Sequence, residues 1–432
     1  RRSAIMAQWT YQNKRIPKAY IDFVSREDVI IPLEDNTIAS VMVSGAWGEV
    51  GTFTLVDGTT DFRATFGKPI DELIEIREAL KGTGKVLAYN GVNDTGAKAT
   101  KTEDEVVVTA KYKGTAGNHI HVLFKKQVDT GLEVQTVFFG KTVDKQIVSQ
   151  LPFENNYVSI TGTLPTEDKT VLLEGGTDGQ TTNAEVENFL NGLDTQDFRV
   201  LALGTDQAST KALVVAKIKQ WRDEGRSVGA VVNEYAEADN EAVVSVGNGV
   251  TLSDGTKLSA KQCVYFVAGQ YAGARLNSNT YKAYPGAIDC ERKKEVEATK
   301  LINKGHLIFA YKHEKVIVLT DVSTFTSYTA EKSRIFGKNK LIRTMDNINA
   351  NVQYIFENYF IGKVPNNVNG RELFKQRIIS NVLDPLVAKN AVEYKADDIE
   401  IKQGITKESV VVNLPIVLTD AMEILYMTVI CD

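Results

Sequence analysis

Apolar positions crowd the end of this chain. Between Val410 and Cys431, 16 of 22 residues are apolar, and the runs 410–418 and 422–431 are rich in types that suit a pleated, buried surface. Both predict strands. Parity along the second run puts Met422, Ile424, Tyr426 and Ile430 on one face and Leu425, Met427, Val429 and Cys431 on the other, so neither face is polar. Exposing such side chains forgoes roughly 1.5–3 kcal/mol each, and a chain end frays unless something ties it down. The run is therefore expected inside this chain's own sheet or in the sheet of another subunit. A second strand-like arm stands near the start. In residues 9–23 a polar opening gives way, beyond Pro17, to Ala19, Ile21 and Phe23 alternating with Tyr20 and Asp22.

Between the arms the period changes several times. Short strands are predicted at 28–32 and 38–44, then a helix over 70–81 with Ile70, Leu73, Ile74 and Leu80 as its apolar stripe and Gly82 as its stop. Residues 101–175 read as strands at 105–112, 119–127, 132–139, 157–161 and 170–173 between turn residues, a compact β module expected to be a sandwich. Residues 175–179 read as a linker. Helices at 183–193 and 208–224 then alternate with strands at 198–203 and 227–233, which predicts an α/β domain with a largely parallel sheet. A helix over 261–275 carries Gly269 and Gly273, four apart, and is expected to lie close against the sheet. Residues 331–391 look mostly helical, with Lys332, Arg334, Lys338, Lys340 and Arg343 at their start.

Composition narrows the class. A chain of 432 residues is too long for one ordinary core, so several domains are expected. Hydrophobic content of 43% with 24% charge is that of a folded globular protein, and no run approaches a membrane span. With 50 basic and 55 acidic residues the net charge is −5, which gives no global field to draw nucleic acid or an anionic membrane. Cys263, Cys290 and Cys431 lie far apart with no CxxC, so neither a zinc site nor a disulfide framework is expected. The opening residues hold a basic pair without an apolar stretch behind it, so a secretory signal is not expected and Met6 reads as the natural start.

Candidate chemistry is sparse. His119 and His121, two apart on a predicted strand, lack a visible third ligand for a metal. The segment 178–182 has Gln180 where a phosphate loop needs lysine, so it reads as a helix cap, and Gly247-Asn248-Gly249 reads as a hairpin tip. No nucleophile-elbow or zinc-protease motif occurs, and no cofactor or metal is expected. The residues alone leave three classes open: a structural polymer, an α/β hydrolase-like enzyme with an appended β module, and a surface-layer or adhesion protein.

One long stretch carries a resemblance. Ala268-Gly269-Gln270-Tyr271-Ala272-Gly273-Ala274, running through Asn277-Ser278-Asn279-Thr280-Tyr281-Lys282 to Tyr284-Pro285-Gly286-Ala287-Ile288-Asp289, resembles the central motif of tail sheath proteins of contractile-tailed bacteriophages. The similarity is to the branch found in prophages and phage-tail-like particles of Gram-positive bacteria. Further blocks resemble the family in order: residues 111–118, with Lys113 where proline is common; 173–179; 321–332; Tyr359-Phe360-Ile361-Gly362-Lys363-Val364-Pro365-Asn366-Asn367; and 421–429.

The resemblance implies an α+β and α/β multidomain layout: an N-terminal arm (6–23), an N-terminal α/β region (24–100), an inserted β-sandwich (101–176), a subtilisin-like α/β domain without catalytic residues (177–330), a C-terminal α+β domain (331–408) and a C-terminal arm (409–432). It implies a non-enzymatic subunit that stacks as hexameric rings into a helical sheath around an inner tail tube protein, beside a baseplate and a tail terminator, with no nucleic acid partner and no direct membrane insertion. It implies assembly in the host bacterial cytoplasm and residence in a virion tail or extracellular tail-like particle. Contraction without nucleotide would drive the tube through a target envelope. Ala19, Ile21, Phe23, Val410, Val412, Leu414, Ile424, Tyr426 and Val429 are then expected in intersubunit arm strands. The basic groups Lys338, Lys340 and Arg343, or Arg371, Lys375 and Arg377, are candidates for docking on the tube.

Overall fold

Strands made mostly of small and β-branched residues, Val200–Ala202, Gly229–Asn233 and Val243–Val246, form the middle of a seven-stranded sheet. They are buried throughout, as parallel strands covered on both sides must be. The computed structural model describes residues 36–45, 47–127 and 131–430, so the expected arm at 9–23 and strand at 28–32 lie outside the described residues. The sheet order is His306–Leu307, Val243–Val246, Gly229–Asn233, Val200–Ala202, Ala39–Val43, Val86–Asn90, Phe53–Val56. All neighbours run parallel except the last pair.

This order corrects the expected division at residue 100. Ala39 stands opposite Val200 and also opposite Val86. The early strands therefore belong to the same sheet as those from 200 onward, and the N-terminal α/β region supplies three of its seven strands. Alternation along the strands sorts the two faces. Val41, Ala88, Val231 and Val244 face the helices Ile74–Leu80 and Ala260–Gly273. Leu87, Leu201, Ala230 and Val232 face Asn183–Gly192 and Ala208–Asp223, which contribute Phe189, Val214, Ile218 and Trp221. The glycines of Ala260–Gly273 meet the neighbouring helix, not the sheet as expected. A Cβ on Gly269 would lie 2.0 Å from the carbonyl oxygen of Ala79, and one on Gly273 2.0 Å from that of Gly82. Two backbones touch there, and only glycine fits.

The β module is a two-layer unit of four strands each. Lys98–Glu103, Val106–Lys113, Val158–Gly162 and Phe153–Glu154 form one layer, and Lys169–Leu172, Ile120–Gln127, Gly131–Phe138 and Lys141–Val148 the other. Val108, Ile120, Val122, Phe124, Val134 and Ile160 fill the space between. Trp47, from the loop after Ala39–Val43, enters this core, with ring centroids 5.3 Å from Tyr112 and 5.0 Å from Phe138. The module is inserted into the sheet domain through two strands laid side by side. Ala97 donates to the Thr177 carbonyl at 3.0 Å, Asn93 to that of Gln180 at 2.7 Å, and a Cβ on Gly179 would lie 2.1 Å from the Asn93 carbonyl. The expected linker at 175–179 is thus pinned: Asp178 accepts from the Thr115 amide at 2.6 Å and its hydroxyl at 2.9 Å.

The C-terminal region builds on Asn339–Ile355, which runs on through Phe356–Phe360, and on Val368–Ile378, continued by Ile379–Leu383 and Asp384–Ala388. Ile355, Phe374, Ile378, Val382, Leu386 and Val392 make its core. Two antiparallel ribbons lie against it. Val392–Tyr394 pairs with Ile416–Leu418, and Glu400–Gln403 with Val410–Asn413.

Candidate assembly interface at the C-terminal arm

The apolar tail divides at Thr419. Its first half is paired inside the chain, and Leu414, Ile416 and Leu418 pack half-buried on the C-terminal core. Its second half, residues 421–430, forms neither helix nor strand. Met422, Ile424, Leu425, Tyr426, Met427, Val429 and Ile430 are between 69% and 104% exposed. The strand expected over 422–431 is therefore absent among the described residues, none of which forms a partner strand beside it. Val410 and Val412, expected between subunits, pair here with Gln403 and Ile401. Ala19, Ile21 and Phe23 lie outside the described residues.

The root of this arm is gripped. The Lys340 ammonium donates to the Thr419 carbonyl at 2.8 Å, Lys338 forms an ion pair with Glu423, and the Thr280 hydroxyl donates to Glu423 Oε1 at 2.7 Å. Beneath lies a buried ion pair between Arg343 and Asp321, 2.8 Å apart and each at most 2% exposed. Asp321 also accepts from the Asn279 amide at 3.0 Å and from Asn339 Nδ2 at 2.8 Å. Burial pushes the Asp321 carboxyl up, yet Arg343 and these hydrogen bonds outweigh it and hold the group below its usual range. Arg343 further donates to the carbonyls of Asn277 at 2.6 Å and Arg275 at 3.2 Å. A second buried carboxylate, Asp346, receives Arg199 at 3.0 Å and Arg222 at 2.9 Å, joining the C-terminal helix to the sheet domain.

These contacts redistribute the basic candidates. Arg343 is spent in the interior and offers no charge to a partner, because Asp321 needs it there. Lys338 and Lys340 hold the arm. Arg371 Nη1 donates to Asn366 Oδ1 at 2.9 Å, and Asn366 Nδ2 holds the carbonyls of Lys407 and Ser409. Lys375 donates to the Ile399 carbonyl at 2.7 Å, and Arg377 is half-buried. Glu423, Thr280 and Asp321 escaped the sequence reading. The signal was there: Glu423 is the sole carboxylate in the apolar stretch 421–430.

Among the described residues the candidate side chains do not assemble an open enzyme-like site. Ser245 Oγ lies 3.0 Å from His306 Nδ1 and accepts from the Tyr235 amide at 2.7 Å, but Ser245 is fully buried and no substrate reaches it. Burial also lowers His306, against the pull of Glu237 and Glu234. A cleft of about 740 Å3 lies elsewhere, between sheet domain and C-terminal helices, lined by Arg199, Arg226, Asn277, Arg343 and Asp346 among others. His119 stacks on Phe139 at 4.5 Å, and no group of three metal-ligating side chains occurs among the described residues. Residues 178–182 cap a helix: the Thr182 amide donates to Glu185 Oε2 at 2.9 Å. Gly247-Asn248-Gly249 is not a hairpin tip, since Asn248 Oδ1 accepts from the Phe309 amide at 2.7 Å as the chain passes from the large sheet to a small one. No helix among the described residues is long and apolar enough to cross a membrane.

Comparison with known proteins agrees with an assembly role. The family model for the phage tail sheath protein central domain matches residues 179–324, and that for the phage tail sheath C-terminal domain matches 331–431. The phage-like element PBSX protein XkdK of Bacillus subtilis (strain 168) is 28% identical, over 97% of this chain and 98% of its own. The crystal structure of the sheath tail protein from Desulfitobacterium hafniense is 31% identical, with a TM-score of 0.80 over 93% of this chain and 100% of that one. The helical sheath of the anti-feeding prophage in its contracted state shares the fold, with a TM-score of 0.59 at 12% identity over 97% of this chain and 100% of that one. With more than half of the chain inside the two domain models and relatives spanning nearly all of it, the chain belongs to the phage tail sheath family and is a structural sheath subunit of a contractile tail or tail-like particle.

Proposed function

We propose that this subunit stacks as hexameric rings into a helical sleeve around an inner tube, linked to its neighbours through exchanged arms. One observation carries the reading: seven apolar side chains of residues 421–430 stand in solvent beside ribbons that are only two strands wide. Covering them is worth roughly 10–20 kcal/mol at 1.5–3 kcal/mol each. That is of the same order as, or larger than, association costs of about 4–15 kcal/mol. An unpaired ribbon edge on a neighbour supplies the missing backbone partners, and residues 9–23 are the second arm. The head-to-tail contact between successive rings does not close on itself, so it propagates a filament.

Contraction is then a rigid-body rearrangement of subunit cores with the arms as hinges. It needs no nucleotide, because the free energy is stored when the extended sheath assembles on its tube. The sheet domain is a subtilisin-like fold without protease chemistry, and the β-sandwich faces outward. Baseplate and tail terminator close the two ends, and assembly takes place in the host cytoplasm. Arg371, Lys375 and Arg377 on Val368–Ile378 are the remaining candidates for the tube. Reversing Arg371 and Arg377 should weaken co-sedimentation with tubes at moderate salt, and unaltered binding removes that role.

The paired first half of the tail fixes where to cut. Deleting 421–432 should leave the melting temperature within a few degrees while abolishing striated tubes in negative-stain micrographs. Normal tubes from the truncated chain would overturn the arm-exchange reading.

A further inference from the structure

We infer that Glu423, held by Lys338 and Thr280, is a positioning residue that sets the direction in which residues 424–430 leave the subunit. The inference rests on the reading of 421–430 as an exchanged arm. Met422 and Ile424 on either side are 104% and 73% exposed, whereas the Glu423 side chain turns back onto the protein and is 16% exposed. It is the only point in 421–430 where a side chain does so through an ionised group.

Both of its partners are themselves fixed. Thr280 Oγ1 accepts from the Asp321 amide at 3.0 Å, which leaves its proton for Glu423. Lys338 directly precedes Asn339, whose side chain donates to Asp321. The grip on Glu423 thus hangs from the same buried centre that Arg343 neutralises. Four residues upstream, Lys340 holds the Thr419 carbonyl. Two fixed points at 419 and 423 define a line, where one would leave a swivel. Beyond Glu423 the seven residues to Ile430 reach about 23 Å at roughly 3.3 Å each. Loss of the second fixed point spreads the tip over a wide volume, and the chance that it meets a neighbour's ribbon edge falls accordingly. The clamp therefore acts by preorganisation, lowering the ordering cost of each new contact without adding a contact of its own.

The test uses the full chain with Glu423→Ala, Glu423→Gln and Lys338→Met, each followed by thermal melting, tube formation against protein concentration, and a spin-label distance. The label pair is Met427→Cys with Val296→Cys in a Cys431→Ser background, measured below the concentration at which tubes form. Melting should stay within a few degrees, half-maximal tube formation should need roughly tenfold more protein, and the distance distribution should broaden. The exchanged pair Glu423→Lys with Lys338→Glu should recover most of the loss, which removal of packing alone would not explain. If Glu423→Ala and Lys338→Met both form tubes at the wild-type concentration with an unbroadened distribution, the clamp is wrong. If the deletion of 421–432 also forms tubes, the arm reading fails with it; if that deletion abolishes them, only the clamp fails.

Discussion

Residues 410–418 and 421–430 are similarly apolar, yet the first is folded and the second is bare. The difference is the supply of partners. Glu400–Gln403, a short loop upstream, and Val392–Tyr394, on the far side of that ribbon, pair with the first stretch in antiparallel register. After Leu418 the chain is led by Lys340, Lys338 and Thr280 across the start of Asn339–Ile355, where no strand of the described residues awaits it. Hydrophobicity alone does not say where a segment is buried. An apolar run becomes core only where the backbone finds a donor and acceptor row within reach.

The comparison can be broken most severely at its foundation. Arg343→Leu leaves the Asp321 carboxylate buried without its counter-ion and should cost about 3–5 kcal/mol near neutral pH by denaturant unfolding. The sign of its pH dependence is diagnostic. In the wild type Asp321 is held below its usual value, so its contribution is complete above about pH 4 and is lost as pH falls through the lowered folded value. Without Arg343 burial dominates and raises the folded value above the unfolded one. The deficit of the variant should then begin to shrink as pH falls through that raised value and shrink further below about pH 4, where the wild type loses its own contribution, and a deficit independent of pH would contradict this account.

Matched substitutions in the two halves of the tail sharpen the contrast. Ile416→Asp puts a charge against the C-terminal core opposite Tyr394 and should cost about 1–3 kcal/mol. Ile424→Asp should change stability by no more than about 0.5 kcal/mol, yet it should suppress tubes as strongly as the Ile416 variant or more. Equal stability losses at the two positions would mean that the bare half is covered within the same chain.

Legibility followed the number of faces an element buries. Ile120–Gln127 alternates between buried and open positions and is legible to within a residue, as is Gly131–Phe138 despite the register shift at Thr136 and Val137. Lys98–Glu103 and Lys141–Val148 were missed, because edge strands so largely open to solvent carry little pattern. The shared sheet was hidden for another reason: short strands such as Ala39–Val43 do not announce which partners they pair with across an inserted module. For the interface, the apolar tail was visible but its division was not, since that depends on ribbon partners and a root clamp brought together by tertiary folding. The glycine pair of Ala260–Gly273 signalled close approach correctly, while the identity of the approaching backbone had to come from the packing.

The side-by-side strands that carry the chain into and out of the β-sandwich have a consequence for how such a subunit can vary. Entry and exit are one hydrogen bond apart, at Ala97 and Thr177, so the module is a side branch that the main sheet does not need for continuity. A turn of a few residues would span the gap, and a larger or wholly different decoration would fit the same doorway. On the proposed outward placement of the sandwich, selection acting on the outside of the particle can rewrite roughly this one cassette while the parts proposed to match every neighbour along the sleeve stay as they are.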